Sequence, residues 1–170
     1  LRVQMALRVL GFNFFKKKET KYSVHAVANG TTVALKDVPD PTFAEEMIGK
    51  GVAILPTDGK VVAPVSGTVS MVFPTNHAVG LVDENGVEVL VHIGIDTVNM
   101  KGEGFTGHVK QGDTVKAGDL MIEVDLDKVK EAGYNTIIPV IITNTPNFSA
   151  VEGLAGKEVK AGDEVISITK

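Results

Sequence analysis

The sequence predicts an all-β fold, an antiparallel β-sandwich or barrel with one or two short helical turns. Three observations predict it. From Lys21 onward, short β-branched runs are broken by Gly, Pro, Asn and Asp at the rhythm of roughly 8–12 residues expected of such folds. An Asn85-Gly86 pair lies between alternating apolar runs, a strong short-range signal for a hairpin. The stretch beginning Val115-Lys116-Ala117-Gly118-Asp119 returns at Val159-Lys160-Ala161-Gly162-Asp163, which reads as a strand, a Gly-Asp turn and a second strand used twice. Two copies are too few for a solenoid.

The chain opens on a segment of different material. Residues 1–18 hold Arg2, Arg8, Lys16, Lys17 and Lys18 with no acid, whereas 19–170 holds twelve basic and twenty-one acidic residues. We therefore separate a basic N-terminal segment, 1–18, from a single domain, 19–170. One reading of 1–18 is an amphipathic element touching an anionic membrane surface or linking to a membrane-embedded partner. The other is a flexible tail, linker or expression remnant. Wound as a helix, its polar positions fall on two faces, its apolar stretch is too interrupted to span a bilayer, and position 1 is Leu, all of which favour the second reading.

Within the domain, Pro41 to Ile48 suits a helical turn entered from Asp40, with Pro41 at its first position. Val61 to Phe73 reads as a strand. Ala78 to Val82 and Val87 to Ile95 form the hairpin. Leu120 to Asp125 is a further strand, and Asp125 to Ala132 a second helical turn that stops at Gly133. Ile137 to Thr143 and Glu164 to Thr169 complete the candidates.

The hairpin brings two histidines together. A two-residue turn at Asn85-Gly86 pairs Glu84 with Val87, which sets Val79 opposite His92 and His77 opposite Gly94. His77 and His92 are then diagonal neighbours on one face, with Cβ atoms about 7–8 Å apart. A four-residue loop would place them directly opposite; a three-residue loop or a bulge would put them on different faces. Val87, Val89, Val91, Ile93 and Ile95 form the core side, leaving His92 on the other with Glu88, Leu90, Gly94 and Asp96.

Composition removes several function classes. With 170 residues, 44% apolar and 22% charged, the chain can build a core. It has no cysteine, hence no disulfide, thiolate nucleophile or Cys-type zinc site, which suits a reducing, cytoplasmic setting. Lys101-Gly102-Glu103-Gly104 lacks the strand-to-helix context of a phosphate loop. The domain is acidic and its bases are scattered, so nucleic acid is not an expected partner. His25 and His108 read as solvated surface residues.

Two kinds of site use a histidine pair. In a phosphoryl carrier, a neutral imidazole attacks phosphorus through one nitrogen while the other is held by a carbonyl or carboxylate; the second histidine and a hydroxyl, here Thr75, stabilise the phosphate oxygens. A zinc site needs three or four ligands, so His77 and His92 would require Asp96 or another group.

Several segments carry a resemblance in order along the chain: Asp37-Val38-Pro39-Asp40 with Phe43-Ala44-Glu45, Gly51 to Pro56, Val62 to Thr68, Pro74-Thr75-Asn76-His77-Ala78, Val91 to Val98, and Lys101 to Phe105. Over roughly residues 23 to 170 the chain resembles the glucose-type enzyme IIA family of the bacterial phosphoenolpyruvate-dependent sugar phosphotransferase system. The resemblance implies a barrel-sandwich hybrid fold and a phosphoryl carrier without a required cofactor. His92 would accept the group from phospho-HPr and pass it to a cysteine of a IIB domain, with His77 as its partner. Thr75 would position that pair, the Gly94 carbonyl would orient the His92 ring, and Asp40 and Asp96 would rim the site.

The same resemblance implies an apolar partner-binding collar at Phe43, Met47, Ile48, Phe73, Leu90 and Val98. In the unphosphorylated form it implies regulatory targets, with zinc shared between His77, His92 and a target carboxylate. Pro41-Thr42 and Gly107-His108-Val109 depart from the enterobacterial pattern and bear on partner preference. The runner-up is a biotinyl- or lipoyl-like carrier, since Ala63 to Val69 and Gly112 to Asp119 look like its two halves and Lys101 offers an attachment point. A zinc-bridged interaction module without phosphotransfer is a third reading.

Overall fold

Why the chain makes two cores is visible in its central strands. The computed structural model describes residues 19–170; segment 1–18, with the membrane-contact, linker and remnant readings attached to it, lies outside the described residues. In chain order the strands are β1 Lys21–His25, β2 Gly30–Val33, β3 Lys50–Pro56, β4 Lys60–Val62, β5 Gly67–Val72, β6 Ala78–Asp83, β7 Glu88–His92, β8 Phe105–Gly107, β9 Thr114–Val115, β10 Leu120–Val124, β11 Ile138–Ile142, β12 Ala150–Gly153, β13 Glu158–Val159 and β14 Glu164–Thr169. Two short helices are described, α1 Pro41–Ala44 and α2 Leu126–Glu131. All strand pairs are antiparallel, in an eight-stranded sheet of order β13-β2-β3-β11-β7-β6-β5-β9 and two three-stranded sheets, β1-β14-β12 and β4-β10-β8. This is an antiparallel β-sandwich, as its sequence pattern predicts.

Strands β3 and β11 are covered on both faces. Val52 and Ile54 with Ile138, Val140 and Ile142 enter the main core, beside Leu81, Val89, Val91, Met121, Ile122 and Ile166. The alternate residues, Ala53 and Ile141, enter a second cluster with Leu35, Val38, Phe43, Ile95 and Ile137. Period-2 alternation therefore feeds two cores from one strand. Ile48 and Leu90 are half-buried against the second cluster, which forms the bed of the histidine site.

Both helical turns start as expected. The Asp40 carboxylate accepts from Thr42 N–H at 2.9 Å, and the Asp125 carboxylate from Lys128 N–H at 3.2 Å, each satisfying a donor that the helix leaves open. The repeated Gly-Asp turn is present, and the structure adds a third copy. Asp113, Asp119 and Asp163 each accept from the N–H of the lysine three residues earlier, at 3.0, 2.8 and 2.9 Å.

Three expectations are corrected. Val61 to Phe73 is not one strand: β4 and β5 are separated at Ala63–Ser66, where Pro64 has no N–H to give a ladder and the chain passes between sheets. Ile95 is buried, but in the second cluster and not on the main core side, because Gly94 at φ +82° breaks the alternation after β7. The hairpin register also differs by one. Asp83 pairs with Val87 across a three-residue loop, and His92 lies opposite Ala78. The cause is Asp83, whose carboxylate takes the N–H groups of Asn85 and Val87 and closes an Asx-type turn, with Gly86 in the left-handed region at φ +80°.

Candidate functional site

In the observed register, regular alternation would send His77 to the face opposite His92. His77 escapes it by standing just before β6, directly after Asn76, whose φ of +58° turns the chain. Its carbonyl still accepts from Ile93 N–H at 2.7 Å, so the backbone stays tied to the strand end while the ring reaches the site. The two imidazoles meet edge to face, with centroids 5.1 Å apart and an interplanar angle of 82°.

Each ring is held at Nδ1. His92 Nδ1–H donates to the Gly94 carbonyl at 2.8 Å; because a carbonyl only accepts, the Nδ1 proton is assigned and Nε2 keeps its lone pair in the neutral ring. His77 Nδ1 shares a 2.5 Å hydrogen bond with Thr75 Oγ1. His77 is only 3% exposed, whereas His92 is partly exposed. Burial first, then the neighbouring His92, lowers the His77 pKa from 6.5 to about 4. Burial also lowers His92, outweighing the Gly94 hydrogen bond and the charges of Asp40 and Asp96, which raise it. Both imidazoles are thus neutral at pH 7 and available as nucleophile or hydrogen-bond partner.

The remaining residues divide by burial. Phe43, 4% exposed, packs its ring 5.0 Å from that of His92 and forms a wall of the site as part of the second core. Phe73 stands 5.0 Å from His77 and is exposed, as are Met47 and Val98. Ile48 and Leu90 are half-buried against the second core cluster. Asp40 and Asp96 both act electrostatically on His92, and Asp96 itself takes a left-handed conformation at φ +61°. His25 Nδ1–H donates to the Gly162 carbonyl, and His108 pairs with Glu123 through Nε2; neither belongs to the histidine pair.

Sequence reasoning misses three supports. Asn76 supplies the backbone turn; Asn135 and Ile137 offer carbonyls to the N–H groups of Ile95 and Gly94, at 3.0 and 2.9 Å; Thr97 closes the same turn from within. Asn before His77 is a signal for positive φ that could have been used. Among the described residues no group of three or more His, Cys, Asp or Glu gathers to hold a metal, so His77 and His92 offer an incomplete ligand pair. No described helix is long and apolar enough to cross a membrane.

Comparison with known proteins places this geometry in context. Residues 22–148 match the model of the family described as phosphoenolpyruvate-dependent sugar phosphotransferase system, EIIA 1. The chain is 54% identical over 140 residues to the PTS system glucose-specific EIIA component of Halalkalibacterium halodurans, covering 82% of this chain and 81% of that protein. It is 46% identical over 157 residues to the component of the same name in Oceanobacillus iheyensis, covering 91% and 95%. It also matches 19% of the longer glucose-specific EIICBA component of Streptococcus pneumoniae, at 50% identity over 135 residues and 79% of this chain. Among solved structures, glucose permease IIA from Mycoplasma capricolum superposes with a TM-score of 0.82 at 40% identity, covering 87% of this chain and 96% of that one.

Proposed function

This chain belongs to the EIIA 1 family of the phosphoenolpyruvate-dependent sugar phosphotransferase system, and from that membership we propose that it carries a phosphoryl group on His92 Nε2 between HPr and a IIB domain. The observation that carries the reading is the His92 ring: neutral, partly exposed, and fixed through Nδ1–H to the Gly94 carbonyl so that one nitrogen alone is nucleophilic.

In the first half-reaction, the His92 Nε2 lone pair forms a bond to phosphorus as the P–N bond of the donor phosphohistidine breaks and its electron pair returns to the donor imidazole. The proton stays on Nδ1 throughout, donated in a hydrogen bond to the Gly94 carbonyl, and that bond offsets the positive charge that develops on the ring. In the second, a cysteine thiolate of the IIB domain forms an S–P bond and the His92 P–N bond breaks. With the Thr75 hydroxyl donating to His77 Nδ1, the His77 proton sits on Nε2 and is free to donate to a phosphate oxygen.

Partners would dock on the exposed apolar residues Met47, Phe73 and Val98 and the half-buried Ile48 and Leu90, with Asp40 and Asp96 meeting a basic donor. The EIICBA arrangement of the Streptococcus pneumoniae relative supports a IIB acceptor. All four relatives named above carry glucose in their names, so we assign glucose as the sugar this carrier serves, at the cytoplasmic face of the membrane. Should a regulatory target supply a carboxylate, zinc would be held by His77 and His92, and no transfer step passes through it. The biotinyl or lipoyl reading is displaced by homology that runs through most of the domain.

The test is labelling with phosphoenolpyruvate and the two general phosphotransfer proteins. The chain should gain one acid-labile phosphate, absent from His92→Ala. An unlabelled wild type, or equal labelling of His92→Ala, overturns the proposal.

A further inference from the structure

We infer that Thr97 is a positioning residue that fixes the His92 tautomer through the Gly94 carbonyl. Thr97 is fully buried, at 0% exposure, yet valine would fill the same space; what threonine adds is a hydroxyl that donates to the Ile93 carbonyl at 2.5 Å. That bond closes the turn Ile93-Gly94-Ile95-Asp96-Thr97 on itself. It also brings Thr97 Cγ2 against Gly94 so closely that a β-carbon there would collide with it.

From the other side, the Ile137 and Asn135 carbonyls accept from the N–H groups of Gly94 and Ile95. The Ile93–Gly94 peptide is thus gripped between the Thr97 hydroxyl and the Ile137 carbonyl, and the adjoining Gly94–Ile95 peptide is held at its N–H by Asn135 with its carbonyl aimed at His92 Nδ1. A peptide so held has one orientation, and its oxygen accepts only the Nδ1–H form of the ring. Without the hydroxyl, the Ile93 carbonyl loses this partner, the turn opens, and the Gly94 carbonyl loses its aim. Thr97 hydrogen-bonds to neither imidazole; it acts through Gly94.

This inference rests on His92 being the phosphoryl acceptor, but its readout does not. Ring-nitrogen NMR of the unphosphorylated, 15N-labelled chain, at a pH above 7 where both imidazoles are neutral, reports the tautomer directly. Wild type should show His92 wholly as Nδ1–H. Thr97→Val should show exchange between two tautomers and, with the donor KM unchanged, a rate of phosphoryl acceptance about tenfold lower, following the loss of the competent form. Thr97→Ser, which keeps the hydroxyl, should restore the single tautomer. Thr97→Cys, a weaker donor at the same place, should fall between and decides the matter should the valine variant not fold. A wholly Nδ1–H His92 in the valine or cysteine variant, or a serine variant as mixed as the valine one, overturns the inference.

Discussion

His77 and His92 face each other across 5.1 Å, yet neither is anchored to the other: Thr75 Oγ1 holds one ring at Nδ1 and the Gly94 carbonyl holds the other. A hydroxyl can donate or accept, whereas a carbonyl only accepts. The pair is therefore unequal by construction. The His92 proton is assigned by its anchor, and His77 can take either tautomer as its neighbour's charge changes.

That inequality predicts separable defects. In His77→Gln, His92 keeps its own anchor, so phosphate acceptance from the donor should stay within a few-fold of wild type. Transfer onward to IIB should fall on the order of 100-fold, because stabilisation of the leaving phosphoryl oxygens is lost at the more demanding step. Single-turnover rates for the two half-reactions, measured with isolated phosphorylated chain, check this. Equal losses at both steps would show that the roles are not divided in this way.

Neutral buried histidines also make stability depend on pH. In the unfolded chain His77 takes a proton near pH 6.5, but in the folded protein not until about 4. Between those values the unfolded state binds more protons, so stability rises with pH and is lost as pH falls from 6.5 towards 4. From pH 7 to pH 5 this group should cost about 2 kcal/mol, with His92 adding in the same direction. Urea unfolding at the two pH values measures it, and His77→Gln should flatten the difference. A wild-type stability independent of pH in this range would contradict the assignment.

Proximity of the histidines is legible from Asn85-Gly86, but through a register that the fold does not use. The three-residue loop selected by Asp83 shifts the ladder by one, and Asn76, at φ +58°, shifts His77 back. The two departures compensate, and neither is a matter of hydrophobic pattern. Strand β3 is absent from the sequence reading for a different reason. Ala53 faces the second core while Val52 and Ile54 face the first, so the run Val52-Ala53-Ile54 shows no alternation to detect. The site's bed was hidden in the same way, since residue type alone does not say which apolar residues of an outer face are covered. The caps at Asp40 and Asp125, by contrast, depend on a side chain and its own neighbours, and are legible from local sequence.

Asp40 joins a local role to an electrostatic one, and two substitutions separate them. Its carboxylate caps α1 at Thr42 N–H and its charge raises the His92 pKa. Asp40→Asn keeps a capping oxygen and should leave stability within about 0.5 kcal/mol, whereas Asp40→Ala should cost about 1 kcal/mol. Both should lower the His92 pKa in an NMR titration and weaken docking of a basic donor, more at low salt than at high. A His92 pKa unchanged in Asp40→Asn would remove the electrostatic role.

The apolar collar suggested by family resemblance contains residues of two physical kinds, and mutation should sort them. Phe43 is 4% exposed, contacts the His92 ring and belongs to the second core, so Phe43→Ala should lose about 3–5 kcal/mol of unfolding free energy and loosen the bed beneath His92. Met47 is 70% exposed, and Met47→Ala should change stability by less than about 0.5 kcal/mol. Its effect should appear in partner affinity, as a raised KM for the phosphoryl donor with the maximal rate retained, because an exposed methionine contributes contact area to the complex and little to the free protein. Urea midpoints and transfer kinetics on the two variants check both halves. A strongly destabilised Met47→Ala, or a Phe43→Ala as stable as wild type, would show that the boundary between core and docking surface has been drawn in the wrong place.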